Sequence, residues 1–299
     1  MSYYRIRLFK DVTARHIMLG LTIICILILF IIGAGLWFKA KPVMETIDLH
    51  KLFFTSTWRP FKGEYGFLSF FASTFYVTAL AIIIALPLSI LTGIYLCEYA
   101  RPGVRRFFMP VVDLLAGIPP VIYGVWGILA LVPFISDTLA PHFVEFSTGY
   151  TVLASGIVLA VMTIPLIISI LTEVFRSIPN DMREASLALG ATKWETIRKV
   201  VLRKAVPGII AATVLAISRA FGETIAVMMV CGNTTDMPKS IYDSCYPLPA
   251  LIANNYGEMM SIPGYEAALM LAALVLFLVV IFFNATARIW LNYIARRYQ

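Results

Sequence analysis

The chain has 299 residues, 60% of them hydrophobic and 14% charged, with 24 Lys and Arg against 17 Asp and Glu and a formal net charge of +7. Soluble domains run near 45–50% apolar and about 25% charged, so this composition, with a mean hydropathy of +0.85, points to a membrane protein. It excludes intrinsic disorder; four Cys exclude a disulfide-built scaffold; and the basic excess reads as inner-loop charge, not as a nucleic-acid surface.

A membrane-spanning helix needs about 20 mostly apolar residues, and six stretches qualify. They are Ile17–Phe38, Leu68–Leu96 with Pro87 inside, Pro110–Val132 with Pro119 and Pro120, Tyr150–Thr172 with Pro165, Gly208–Val230, and Tyr265–Ala287. The first is too long for a signal-peptide core and lacks a small-residue cleavage pattern, so it reads as a retained helix. The runs are apolar all round, without the alternation of a membrane β-barrel. With the N-terminus inside, seventeen Lys and Arg fall in inner segments and six in outer ones, with Arg219 inside a span. That asymmetry places both termini in the cytoplasm. The expected organisation is an N-terminal segment over 1–64, holding the first span and an outer loop, and a five-span core over 65–299.

The longest polar stretch, 173–207, reads as helix, turn, helix. Asn180 or Asp181 caps a helix running to Leu189, and Gly190 ends it. Thr192–Lys204 is a second helical pattern with Trp194, Ile197, Val200 and Val201 on one side, and Pro207-Gly208 marks the start of the fifth span. On amphipathicity alone the stretch also fits a helix lying on lipid headgroups. Glu184-Ala185-Ser186, then Gly190, then Val200-Val201-Leu202 resembles the cytoplasmic "EAA" loop of ABC importer permeases, with Arg203 where many members have proline. The resemblance implies that Glu184, Ala185 and Gly190 belong to a coupling helix seated on a separate ATPase. No G-x-x-x-x-G-K-[ST] phosphate loop occurs in this chain, so ATP-Mg is expected on that partner, with no cofactor here.

Arg219 lies eleven residues past Gly208, roughly 17 Å along a helix, near the middle of the bilayer core. An arginine there costs roughly 2.5–3.5 kcal/mol on insertion scales. Glu223 follows at i+4, in a row with Ala211 and Leu215, while Gly208, Ala212, Ala216, Ala220 and Thr224 form a neighbouring row of small residues suited to close packing. Two readings follow: a buried pair that fixes helix register, or an anion site in which the guanidinium fork takes an oxyanion and Glu223 holds it between turnovers.

The segment from Arg219 to Asn233, reading R-A-F-G-E-T-I-A-V-M-M-V-C-G-N, resembles the permease subunits of phosphate ABC importers, closer to the PstC than to the PstA kind. Gly117–Gly124 resembles the same family's third span, with Pro120 in place of its serine. The resemblance implies an all-α membrane protein with six transmembrane helices, the ABC importer type I permease fold and a cytoplasmic coupling helix. It also implies a PstA-like second permease subunit, two ATPase copies, an outer phosphate-binding protein at segments 39–67 and 232–264, and a place in the bacterial inner membrane. Arg219, Glu223 and Thr224 would line the path, and Pro119 and Pro120 would form a gate or a packing kink. Cys231 and Cys245 both fall at the outer end of the fifth span, where a bridge is permitted. His16, His50 and His142 are scattered, so no metal site is expected. A permease for sulfate or molybdate, an ion-coupled secondary transporter and a phosphate-sensing scaffold stay open as alternatives.

Overall fold

The computed structural model describes residues 2–46, 48–257 and 264–298. Helix α1 (Ser2–Thr46) is followed by α2 (Leu49–Phe54) and a short hairpin of β1 (Trp58–Arg59) and β2 (Glu64–Tyr65), turned through Gly63 at φ 73°. Then come α3 (Leu68–Ile94), α4 (Pro102–Ala116), α5 (Pro120–Trp126), α6 (Val132–Phe134) and α7 (Val152–Arg176). The chain continues through α8 (Asn180–Ala188), α9 (Lys193–Thr196), α10 (Leu202–Phe221), α11 (Ile225–Met228), α12 (Leu248–Asn255) and α13 (Tyr265–Tyr298). Wider π-helical turns extend α3 over Tyr95–Tyr99, join α5 to α6 over Gly127–Leu131, follow α6 over Ile135–Leu139, and join α9 to α10 over Ile197–Val201.

Six of the described helical stretches are long and apolar enough to cross a membrane: Lys10–Thr46, Leu68–Tyr99, Pro120–His142, Val152–Arg176, Lys193–Phe221 and Tyr265–Thr286. Pro87 and Pro165 sit inside unbroken helices. The central pair is α3 against α7, where Gly156 and Gly93 admit Leu80 and Phe175. Helix α10 packs on both, and α13 on α10 and α1. Helix α1 is otherwise bare: its apolar side chains from Ile17 to Ile32 are about half exposed or more, as expected of a surface that meets lipid.

A second core lies at the outer end. Trp58 packs against Tyr65, Phe67, Phe70 and Tyr265, with ring centroids 5.1–5.9 Å apart. Ala40, Val43 and Leu52 share this core with Tyr246, Leu248 and α13, so residues on both sides of the 64–65 boundary are packed together. Part of the second outer segment, 258–263, lies outside the described residues.

Candidate functional site: two broken helices and the inner loop

The expected Pro110–Val132 span is interrupted near its middle, and the stretch long and apolar enough to cross a membrane is instead Pro120–His142, which starts after the break. Helix α4 starts with Pro102 at its first position, a place where the missing N–H costs nothing, and ends at Gly117, whose amide bonds back to Asp113 and Leu114. Pro119 is extended (φ −59°, ψ 140°) and Pro120 opens α5. Two successive prolines remove two backbone donors and bias the preceding residue away from helix. The Tyr123 hydroxyl donates across the gap to the Leu115 carbonyl at 2.7 Å, satisfying one of the carbonyls that a helix end orphans. Val112 packs with Ile168, whereas Gly127 packs on Val158 and Val230. These contacts bracket the break opposite the middle of α7.

The expected Gly208–Val230 span is interrupted as well. The helix that begins at Lys193 passes through Pro207-Gly208 without stopping, and Gly208 lies against Val174 near the inner end of α7. Proline at 207 deprives only the Arg203 carbonyl of its partner, and that carbonyl belongs to the polar inner end. From Gly208 α10 runs about 20 Å further and ends at Phe221. Gly222 and Glu223 turn back on the carbonyls of Arg219 and Ala220, Thr224 Oγ1 donates to the Gly222 carbonyl at 3.2 Å, and Glu223 Oε1 accepts from the Ala226 amide at 3.3 Å. Helix α11 then rises beside α5, with Ala226 and Met229 against Gly124 and Val230 against Gly127. The two interruptions therefore lie side by side.

This corrects the expected Gly208–Val230 span and the expected row. Helix α10 ends between Arg219 and Glu223, so the i+4 relation fails and no ion pair forms between them among the described residues. The carboxylate instead accepts from the Ala226 amide in the first turn of α11. The lower parts of both rows hold: Ala212, Ala216 and Ala220 are buried, and Leu215 and Arg219 are exposed. Arg219 stands in the last turn of α10, within electrostatic range of the Tyr123 hydroxyl. Its guanidinium has no hydrogen-bond or ion-pair partner among the described residues. Tyr123 was not singled out by sequence, because a tyrosine in an apolar run carries no signal of its contacts.

At the inner end, α8 is preceded by Pro179, and Asn180 does not cap it; Asn180 Oδ1 accepts from Arg183 instead, at 3.3 Å. Arg183 is a clamp. Its Nε and Nη2 donate to Glu98 Oε1 at 3.1 and 2.8 Å, and its other bonds go to the carbonyls of Ile178 and Phe175 at 2.6 and 2.8 Å. Both side chains are largely buried, at 17% and 10% exposure. Nothing in the sequence joins positions 98 and 183, so this pair too was missed. Gly190 follows α8 at φ 83°, and the amides of Gly190 and Ala191 bond back to Leu187 and Ser186. Thr192 and Glu195 form a reciprocal cap on α9, and the Ser186 and Thr196 hydroxyls meet at 2.9 Å. Ile197 and Val201 are buried, but Trp194 is 51% exposed and leaves the expected face. With Leu187, Leu189, Glu184 and Ala185, it makes an exposed, largely apolar tip.

Cys231 and Cys245 are brought together. The Cys245 amide donates to the Cys231 carbonyl at 2.8 Å, the thiols are in hydrogen-bonding contact, and both residues are fully buried as free cysteines.

Known proteins have similar folds and similar sequences. Among solved structures, a bacterial alginate ABC transporter in complex with an alginate pentasaccharide-bound periplasmic protein superimposes with TM-score 0.66 at 16% identity, covering 97% of this chain and 98% of that one. The MetNI methionine ABC transporter in an inward-facing form gives 0.53 at 23% identity, over 75% of this chain and 91% of that one; at these identities the likeness is one of fold. A probable ABC transporter permease protein, YqgH of Bacillus subtilis, is 44% identical over 69% of this chain and 66% of its own length, just under two thirds. The phosphate transport system permease protein PstC of Xylella fastidiosa is 35% identical over 82% of this chain and 79% of its own, and a probable PstC of Methanocaldococcus jannaschii is 34% identical over 86% of each. The family described as "binding-protein-dependent transport system inner membrane component" matches residues 85–299, and the chain belongs to that family, as a multi-pass permease subunit of the inner membrane.

Proposed function

We propose that this chain is one permease subunit of an ATP-driven phosphate importer. The observation that carries the reading is Arg219, an arginine without a counter-ion among the described residues, standing exposed in the last turn of α10 beside the break that precedes α5, a place this reading puts at mid-depth. Its planar fork suits a tetrahedral oxyanion, and irregular backbone at that depth is tolerated where it lines a cavity. The similarity to proteins named PstC supports phosphate over sulfate or molybdate. In this reading Arg219, Glu223 and Thr224 form part of the path, with Pro119 and Pro120 on the facing break. A PstA-like subunit supplies the other half. Both termini are cytoplasmic, and two ATPase copies carrying ATP-Mg dock on the tip around Glu184, Ala185 and Gly190. A phosphate-binding protein meets the outer segments 39–67 and 232–264.

The test is Arg219→Lys, which keeps the charge and loses the fork. Radiolabelled phosphate uptake should fall about tenfold or more, the worth of about 1.4 kcal/mol, while the assembled complex in the membrane stays at its normal level. Unchanged phosphate uptake, or a sulfate uptake that alone responds, overturns the assignment. A Cys231–Cys245 bridge belongs to the same proposal. A disulfide oxidant of the outer compartment would take two electrons and two protons from the thiol pair, read as a two-hydrogen mass loss in the intact chain. Intact mass unchanged after isolation without reductant overturns it.

A further inference from the structure

A cavity of about 430 Å³ opens where α4 begins and α7 ends. Its lining is Ala100, Pro102, Met109 and Pro110 with three arginines, Arg105, Arg106 and Arg176, and no carboxylate. Arg176 shares Glu173, at 3.5 Å across an exposed pair. The guanidinium groups of Arg105 and Arg106 have no partner among the described residues. The nearby acid Glu98 is committed to Arg183 at 2.8 Å. The field is therefore positive and uncompensated. Two of the membrane-crossing stretches end here, at Tyr99 and Arg176, which puts the cavity at headgroup level. Next along α4, Phe107 and Phe108 stand 67% and 46% exposed.

From this geometry we propose that the cavity binds the phosphodiester headgroup of an anionic phospholipid. Two free guanidinium forks match the non-bridging phosphate oxygens, and basic pockets between transmembrane helices at the cytoplasmic face are suited to such headgroups. The apolar part of the lining takes the glycerol and the first methylenes, contacts that a free phosphate ion would leave unused. The inference is independent of which anion the protein transports, and it rests on the membrane placement of α3 and α7.

The experiment uses the full chain in its assembled complex, stripped of lipid in detergent and titrated under native mass spectrometry. The probes are dioleoyl-phosphatidylglycerol, dioleoyl-phosphatidylcholine and inorganic phosphate. The expected result is tight retention of phosphatidylglycerol over phosphatidylcholine, weakened about 30-fold in the Arg105→Ala, Arg106→Ala double variant, from roughly five- to sixfold per surface arginine. Arg198→Ala, an exposed cation outside the cavity, should leave it unchanged. Where the alanine variant fails to assemble, Arg105→Lys with Arg106→Lys keeps the charge, and a several-fold weakening there supports the fork. Equal retention of both lipids overturns the proposal, as does displacement of phosphatidylglycerol by inorganic phosphate. Loss of the ATPase from the double variant with lipid retention unchanged also overturns it, since the arginines then serve a protein partner.

Discussion

At the scale of single residues, the contrast is between Arg183 and Arg219. Arg183 is held by one carboxylate and two carbonyls in a largely buried place, and removing one partner of a buried pair costs about 3–5 kcal/mol. Glu98→Ala should therefore lower the temperature at which the solubilised complex loses the chain. Glu98→Gln, which keeps an acceptor, should lower it less, and equal melting of all three would show that the clamp carries no stability. Glu223 belongs to a different case. Because its carboxylate bonds to the Ala226 amide and not to Arg219, Glu223→Gln keeps an acceptor there and should assemble normally. Were the two residues a sealed ion pair, the same change would strand a buried charge and assembly would collapse, so membrane levels of the complex decide. Arg219 as a cation within an apolar run was legible from the sequence. Its freedom was not, because i+4 spacing implies contact only while the helix continues.

The elements show where hydropathy stops being informative. The spans were legible because lipid selects directly on apolar length, and the turn at Gly190 was legible because a left-handed position (φ 83°) favours glycine. The break at Gly222 was hidden, since Ile225–Val230 keeps the run apolar across it and a single glycine is a weak stop signal. Pro207 misled in the other direction. At the interface between the breaks, a Cβ on Gly127 would come within 2.7 and 2.8 Å of Val230 and Val158. Overpacking of this kind costs about 1–3 kcal/mol, so Gly127→Ala should push α5 from α11 and reduce phosphate uptake more than it reduces complex level. The Gly190 position predicts a different pair of outcomes. No atom lies within 4 Å of a Cβ there, so Gly190→Ala meets only left-handed strain of about 1–2 kcal/mol and should retain much of its ATPase on copurification. Gly190→Trp adds bulk to the exposed tip and should lose it.

For the whole molecule, the proposed orientation rests on charge bias and needs reporters on both sides. Native Cys245 cannot serve, because it is fully buried. Phe61, 83% exposed in the hairpin turn, and Leu189, 90% exposed at the tip of the inner loop, can. In a cysteine-free background Phe61→Cys should react with a membrane-impermeant maleimide in cells whose inner membrane is intact, and Leu189→Cys only after that membrane is opened. The reverse pattern would invert the topology.

Under the proposed docking of an ATPase on the tip, the unbroken run from Lys193 to Phe221 would serve as a lever. Its 29 residues amount to about 43 Å of helix at 1.5 Å per residue, with Trp194 at the driven end and Arg219 in the last turn before the break. A helix is stiff along its axis, so a displacement imposed at the loop reaches mid-depth with little loss, while Arg183 anchors the same loop to the ends of α3 and α7. Load and fulcrum are thus built from one polypeptide. In that proposal, work done on the tip would be delivered at the turn after Phe221, where the helix is already interrupted.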